Sequence, residues 1–282
     1  MPAGVAGRAK RGVSRSGDAA EKGPVTGPQT RQPSVLERVD LALAARMVAA
    51  AHDDEPLAAA QRVLDGVRRP APGDVPFLAS LLRLRGFVIN DDDVTDIVHG
   101  RPSRLAPVTQ EHRLVLGLRE CLRLLRQRAA AELPPDGWFL VDLFRTLTSE
   151  LPRFRNNELR RGPPWDAVHN LTYPAPEQLR SVLDGFDAGR CYRDVPLLFQ
   201  GLHPVRQGFR LLWRLLRIAP FHDFNFVMAW LGMNAWLQCK GFPLLPAAPG
   251  DQQLLVRMVG GPPPTKLAVF EGRLLESLGE AA

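Results

Sequence analysis

Tyrosine occurs twice and cysteine three times in 282 residues, and both scarcities narrow what the chain can be. Cys121, Cys191 and Cys239 are far apart, odd in number and without a CxxC pair. That argues against a disulfide framework and makes a reducing compartment the expectation. Tyrosine and β-branched residues are sparse beside Leu, Ala and Arg, which favours helix over sheet. No uninterrupted run of about 18 apolar residues is present, so no membrane span is expected. No apolar segment follows the early basic residues, so no secretory signal is expected and the expected location is cytoplasmic. The sequence also lacks a P-loop, an HExxH zinc motif and a serine nucleophile elbow, and it has no internal repeat.

What is there suffices for a core. Hydrophobic residues make up 45% of the chain, enough for one large domain or two small ones. The formal net charge is +6, but it is unevenly placed. Residues 1–34 hold Arg8, Lys10, Arg11, Arg15, Lys22 and Arg31 against Asp18 and Glu21, or +4, which leaves +2 for the rest. This segment is rich in Gly, Ser and Pro and shows no apolar periodicity, so a disordered basic tail is expected. Such a tail can attract nucleic acid or an anionic membrane, but a solvated tail is the simpler expectation.

Helical spacing then predicts an all-α chain. Ser34 with Glu37 reads as a capping box for a helix to about Ala51, and Pro56–Arg68 fits a second. Further helices are expected over Pro76–Arg85, from an Asn90 N-cap through Val98, and over Thr109–Glu132, Phe139–Leu151 and Glu177–Phe186. Val195–Leu202, Pro204–Ile218, Asn225–Lys240 and Lys266–Leu278 complete the set. The stretch 154–176 holds Asn156-Asn157 and Gly162-Pro-Pro164 with little periodicity, and reads as a loop or short hairpin. Arg206, Arg210, Arg214 and Arg217 share one side of a helix, as do Arg119, Arg123 and Arg126. Neither stripe has interleaved aromatic stacking partners, so both read as solvated faces and nucleic-acid binding is not expected.

The most informative segment is Arg217-Ile-Ala-Pro-Phe-His-Asp-Phe-Asn-Phe-Val-Met-Ala-Trp230. It resembles the active-site motif of the Fic family, His-Pro-Phe-x-Asp/Glu-Gly-Asn-Gly-Arg, with much of the chemistry replaced. Pro220, Phe221, Asp223 and Asn225 match. Ala219 stands in the histidine place, Phe224 and Phe226 in the two glycine places, and Val227 in the arginine place. Flanking pieces follow in the family's order over roughly residues 77–245. Gly208–Ile218 resembles the helix that delivers the loop, and Leu231–Pro243 the helix that leaves it. Tyr173–Leu179 resembles the Pro-rich step and helix upstream, and Phe154-Arg155 the pair before the flap. Near 77–90 the chain resembles the family's inhibitory helix, with Leu81 in the Ser/Thr place, Arg85 in the Glu place and Gly86 last.

The resemblance implies a Fic-like helical domain with a short β-hairpin flap. Its expected layout is a tail (1–34), an N-terminal helical extension (35–130) and a Fic-like core (131–282). It also implies an ancestral activity, transfer of AMP from Mg-ATP to protein hydroxyls. Here Ala219 cannot take a proton. Phe224 and Phe226 add bulk where backbone amides would cradle phosphate, and they disfavour positive φ. Val227 offers no phosphate clamp. Removing one transition-state donor typically costs about 3–4 kcal/mol, so losing base, nest and clamp together predicts an inactive protein that needs no cofactor.

Alternatives stay open for the survivors. Asp223 is either a metal ligand or an N-terminal helix cap, and Asn225 either contacts nucleotide or caps. His222 could stand in as a base, though it points elsewhere along the turn. Arg85 either binds an anion in the vacated pocket or is an ordinary surface arginine. Trp213, Trp230, Trp236, Phe221, Phe224 and Phe226 are expected to fill the former pocket as core. The leading expectation is a pseudo-enzyme scaffold that binds an unknown protein partner, through the flap. The alternative is an active adenylyl- or phosphoryltransferase with a remodelled site, and the third option a nucleic-acid binder.

Overall fold

The computed structural model describes residues 73–154, 158–186 and 204–260. The expected tail, the helices expected before residue 73, and those over Val195–Leu202 and Lys266–Leu278 lie outside the described residues. Eight helices are present among those described. They are α1 (Asp74–Arg85), α2 (Asp91–Val98), α3 (Gln110–Ala130), α4 (Gly137–Thr148), α5 (Leu179–Asp184), α6 (Pro204–Ile218), α7 (Asn225–Cys239) and α8 (Asp251–Gly260). None of them is long and apolar enough to cross a membrane.

Helix ends follow local chemistry. Asn90 accepts from the Asp93 amide at 2.8 Å to start α2, Thr109 accepts from the His112 amide to start α3, and Asp136 accepts from the Phe139 amide to start α4. Each satisfies one of the donors that a helix N-terminus leaves open. Gly86, at φ 97°, ends α1. Its left-handed backbone is open to glycine without a Cβ penalty.

Helix α7 is the central element. Every residue from Asn225 to Leu237 is buried, as expected of a helix that is apolar all round. It packs along α6 and also touches α1, α3 and α4. Gly232 makes this approach possible: a Cβ there would lie 2.7 Å from Leu215 Cδ1 and 3.1 Å from Leu140 Cδ2. One buried amide organises the chain after α7. Asn234 donates to Leu245 O and accepts from Leu245 N at 2.7 Å, while Trp230 Nε1 donates to the same carbonyl. A single hydrophobic core runs from Phe77 to Val259.

Three expectations change. Residues 158–175 contain no strand, so the described part of the expected hairpin flap is a loop, followed by a 3-10 turn at Pro176–Gln178. Pro163, Pro164 and Pro174 remove ladder donors from this stretch. Helix α8 was not expected. Its buried stripe is narrow, with Asp251, Leu255 and Val259 facing inward, too few positions to stand out as a periodic signal. On α6, Arg206 and Arg210 are buried, Arg210 to 1% exposure. Their spacing puts them on one side of the helix, but nearly all of α6 is covered. On α3 the solvated stripe is as expected. Arg123 pairs with Glu120 and Arg126 with Asp74, and both arginines are exposed.

Candidate functional site

The motif loop connects α6 to α7. Its two positive-φ residues are Ala219 (φ 41°), which ends α6, and Phe224 (φ 62°), the residue before α7. Phenylalanine was expected to disfavour a left-handed backbone at Phe224, yet the loop keeps that turn. The strain, on the order of 1–2 kcal/mol, is offset by burial of the ring. Phe224 packs 5.6 Å from Phe154, and Phe221 stacks on Phe144 at 4.3 Å with planes 12° apart. Phe226 lies inside the first turn of α7, where the backbone is ordinary helix. Ala219, Pro220, Phe221, Asp223, Phe224, Asn225, Phe226 and Val227 are all buried, and His222 is partly so.

Asp223 is 2% exposed and fully engaged. Arg85 Nε donates to its Oδ1 at 2.8 Å and Arg85 Nη2 to its Oδ2 at 3.0 Å, a forked pair between the end of α1 and the loop. Arg153 Nη2 lies 3.6 Å from Oδ2. The Phe224 amide donates to Oδ1 at 2.7 Å. The hydrogen bond to Asp223 raises the Arg85 pKa, against the opposing effect of burial. Arg85 therefore meets an anion, and that anion is the aspartate of the motif itself.

Asn225 closes the loop on itself. Its Oδ1 accepts from the Phe221 amide at 3.0 Å, and its Nδ2 donates to Phe221 O at 2.9 Å and to Asp166 Oδ1 at 2.7 Å. The Asn225 backbone N–H, the first of α7, donates to Asp166 Oδ2 at 2.6 Å. Asp166 rather than Asp223 thus takes the opening amide of α7. Burial pushes the Asp166 carboxyl up, and the Asn225 donors and Arg85 pull it partly back.

The segment 158–168 is bound to the motif loop along its length. The Arg160 amide donates to Pro220 O at 3.0 Å, and the Trp165 amide to His222 O at 2.7 Å. The Arg160 side chain is 3% exposed. It donates to Ala219 O (2.7 Å), Pro174 O (2.6 Å), Gly162 O (3.0 Å) and, more weakly, Ile218 O (3.4 Å). A cation is favourable at the C-terminal end of α6, although burial lowers the guanidinium pKa. His222 sits 5.8 Å from the Trp165 ring. Burial, then Arg161 and Arg160, depress its pKa, and its Nε2 is buried without a partner.

Arg160, Asp166 and Arg153 were missed by the sequence reading. Nothing local marks them, because their partners lie in the motif loop and Arg160 is one arginine among many. Arg155 lies outside the described residues. No group of three or more His, Cys, Asp or Glu side chains able to hold a metal occurs among the described residues. Two clefts, of about 580 Å³ beside Arg161 and Arg180 and about 160 Å³ beside Ser80 and Gln253, have no motif-loop residue in their walls.

No protein-family model matches the chain, and no curated protein matches it in sequence. Solved structures do match in shape. A Fic-domain-containing signalling protein from Bacteroides thetaiotaomicron superposes with a TM-score of 0.62 at 16% identity, over 79% of this chain and 95% of that one. Two structures of Fic-1 from C. elegans superpose with TM-scores of 0.62 and 0.56, each at 15% identity over 89% of this chain, and over 76% and 78% of theirs. At these identities the likeness is one of architecture: the chain has the helical fold of Fic-domain proteins.

Proposed function

We propose that this chain is a Fic-fold pseudo-enzyme whose site is closed by its own side chains and which acts by binding another protein. The observation that carries this reading is the complete internal use of the surviving motif groups. Asp223 is committed to Arg85, Arg153 and the Phe224 amide, and Asn225 to Asp166 and Phe221. A buried carboxylate held by a forked guanidinium does not give up that partner to a solvated metal cheaply. The residues present therefore do not fit Mg-ATP. Phe224 and Phe226 fill space where phosphate would need close backbone approach, Val227 has no donor, and Ala219 has no base.

His222 does not restore a base in this reading. Its depressed pKa leaves it neutral near pH 7, but its carbonyl is tied to the Trp165 amide and its Nε2 is buried. The partner surface we assign is the exposed patch around Arg153 and Trp165. Trp165 is 58% exposed there, tilted at 45° to the Phe154 ring at 5.7 Å and with the Arg153 guanidinium 5.6 Å from its own ring. Exposed Trp and Arg are the side chains that most often anchor protein interfaces. A nucleic-acid role has less support, because Arg206 and Arg210 are buried.

The test is a transfer assay with ATP labelled at the α-phosphate, run on the chain alone and on candidate protein substrates with Mg²⁺. Absence of label above a no-protein control is expected. Label incorporated in proportion to the added chain would overturn the reading.

A further inference from the structure

Resting on the reading of a protein-binding chain, we infer that the cleft of about 580 Å³ between residues 158–161 and the start of α5 is a docking site for an acidic segment of the partner protein. What sets this cleft apart is charge that the chain leaves uncompensated. Arg160, Arg161 and Arg180 all stand in its walls, and none of the three is ion-paired with a carboxylate among the described residues. Arg160 is buried against backbone carbonyls alone. Arg180 lies 5.9 Å from the Trp138 ring centroid, a contact that orients a guanidinium without neutralising it. Arg161 is exposed and near enough to His222 to depress its pKa. Elsewhere the pattern differs: Arg83, Arg126, Arg128 and Arg145 each pair with an aspartate.

A cation buried in a low-dielectric wall projects its field into the space that it borders. With two exposed guanidiniums in the same walls, the cleft favours negative charge. Glu158 does not cancel this, because it is paired with Arg145. The wall chemistry also selects the occupant. Leu159 and Pro176 are the only apolar residues among the described walls, whereas small-molecule sites are mostly apolar. A nucleic-acid strand would want stacking rings and uniform positive charge. The described walls hold no aromatic ring, and Glu158 and Glu177 would repel a run of phosphates. Spaced carboxylates on a polypeptide can meet Arg161 and Arg180 and avoid Glu177. Trp138, 38% exposed beside Arg180, adds an interface anchor.

The experiment uses the full chain and a fluorescent, end-capped peptide of glutamates spaced by serine around one leucine, followed by anisotropy. The same peptide with glutamine for glutamate, and oligothymidylate, are the comparison probes. Arg161→Glu and Arg180→Glu are each expected to weaken the glutamate peptide about tenfold. Arg123→Glu, the same charge change on α3, should leave it unchanged. All three side chains are exposed, and helical circular dichroism checks that the variants fold. The glutamine peptide should bind about tenfold more weakly, and added salt should weaken the glutamate peptide. No binding of the glutamate peptide, equal binding of both peptides, equal loss in all three variants, or preference for oligothymidylate would each overturn the acidic docking site. A peptide retained by both cleft variants and lost in Trp165→Ala would overturn the cleft and leave the Arg153 and Trp165 patch standing. None of these results touches the proposed inactivity, which falls only if the wild-type chain transfers label from ATP.

Discussion

Arg85 and Asp223, 138 residues apart in sequence, form a forked ion pair with both donor–acceptor distances at 3.0 Å or less. The arginine is 30% exposed and the aspartate 2%. The pair ties the C-terminal end of α1 to the loop entering α7, so it bears on stability and on the proposed closure of the site.

Removing one partner should leave the other charge stranded. Arg85→Ala leaves Asp223 buried with the Phe224 amide as its one close donor and the longer Arg153 contact as its remaining cation. Breaking such a pair costs on the order of 2–4 kcal/mol. The double variant Arg85→Ala with Asp223→Ala should be more stable than Arg85→Ala alone, because the stranded charge has gone. A urea unfolding cycle over the four proteins measures this. Additive losses would show that the pair contributes nothing as a pair.

At Phe224 the usual order of glycine and alanine should reverse. Both substitutions lose the buried ring, about 3–5 kcal/mol. Glycine alone relieves the positive φ, worth on the order of 1 kcal/mol. Phe224→Gly should therefore be more stable than Phe224→Ala, measured by midpoint of chemical denaturation. The opposite order would mean that the left-handed backbone at this position is not populated.

Asn234 supplies a second test of buried polar closure. Asn234→Ala would orphan the Leu245 amide and weaken the seat of residues 242–247 against α7. The expected loss is roughly 2–3 kcal/mol, with faster exchange at the Leu245 amide. Asn234→Asp should also destabilise, since a carboxylate cannot donate to Leu245 O.

The pH dependence should carry the signature of His222. Its folded pKa is depressed, so the unfolded chain binds the proton more readily. The stability linked to this group is present above the unfolded value near 6.5 and is lost as pH falls below it, toward the folded pKa. Stability measured from pH 7.5 down to 5 should fall less steeply in His222→Gln than in wild type. Identical slopes would show that His222 titrates as an unburied histidine.

Most of the frame was legible in the sequence, because local chemistry sets helix ends. The Asn90 cap, the Gly86 stop, and the spans of α6 and α7 come from residues within a few positions of each end. Burial of Phe221 and Phe224 in the loop between α6 and α7 was expected from the sequence and is found. The way it closes was not. Asp166 lies 59 residues from Asn225, and Arg160 reaches carbonyls 58 and 59 residues away. No periodicity or capping pattern reports contacts at that range. Arg85 was singled out with an anion in view, but that the anion would be Asp223 needed the fold of α1 onto the loop. Arg206 and Arg210 misled for the converse reason, since spacing gives the side of a helix and not what covers it.

The most direct measurement of the proposed closure is thermal unfolding of the wild-type chain with and without millimolar Mg-ATP. A ligand at a hundred times its dissociation constant would stabilise the fold by about 2.7 kcal/mol, a shift of a few degrees for a domain of this size. No change in midpoint is expected. A concentration-dependent rise, abolished in a folded Asp223→Asn variant, would contradict it and show that the aspartate exchanges Arg85 for a metal-bound nucleotide.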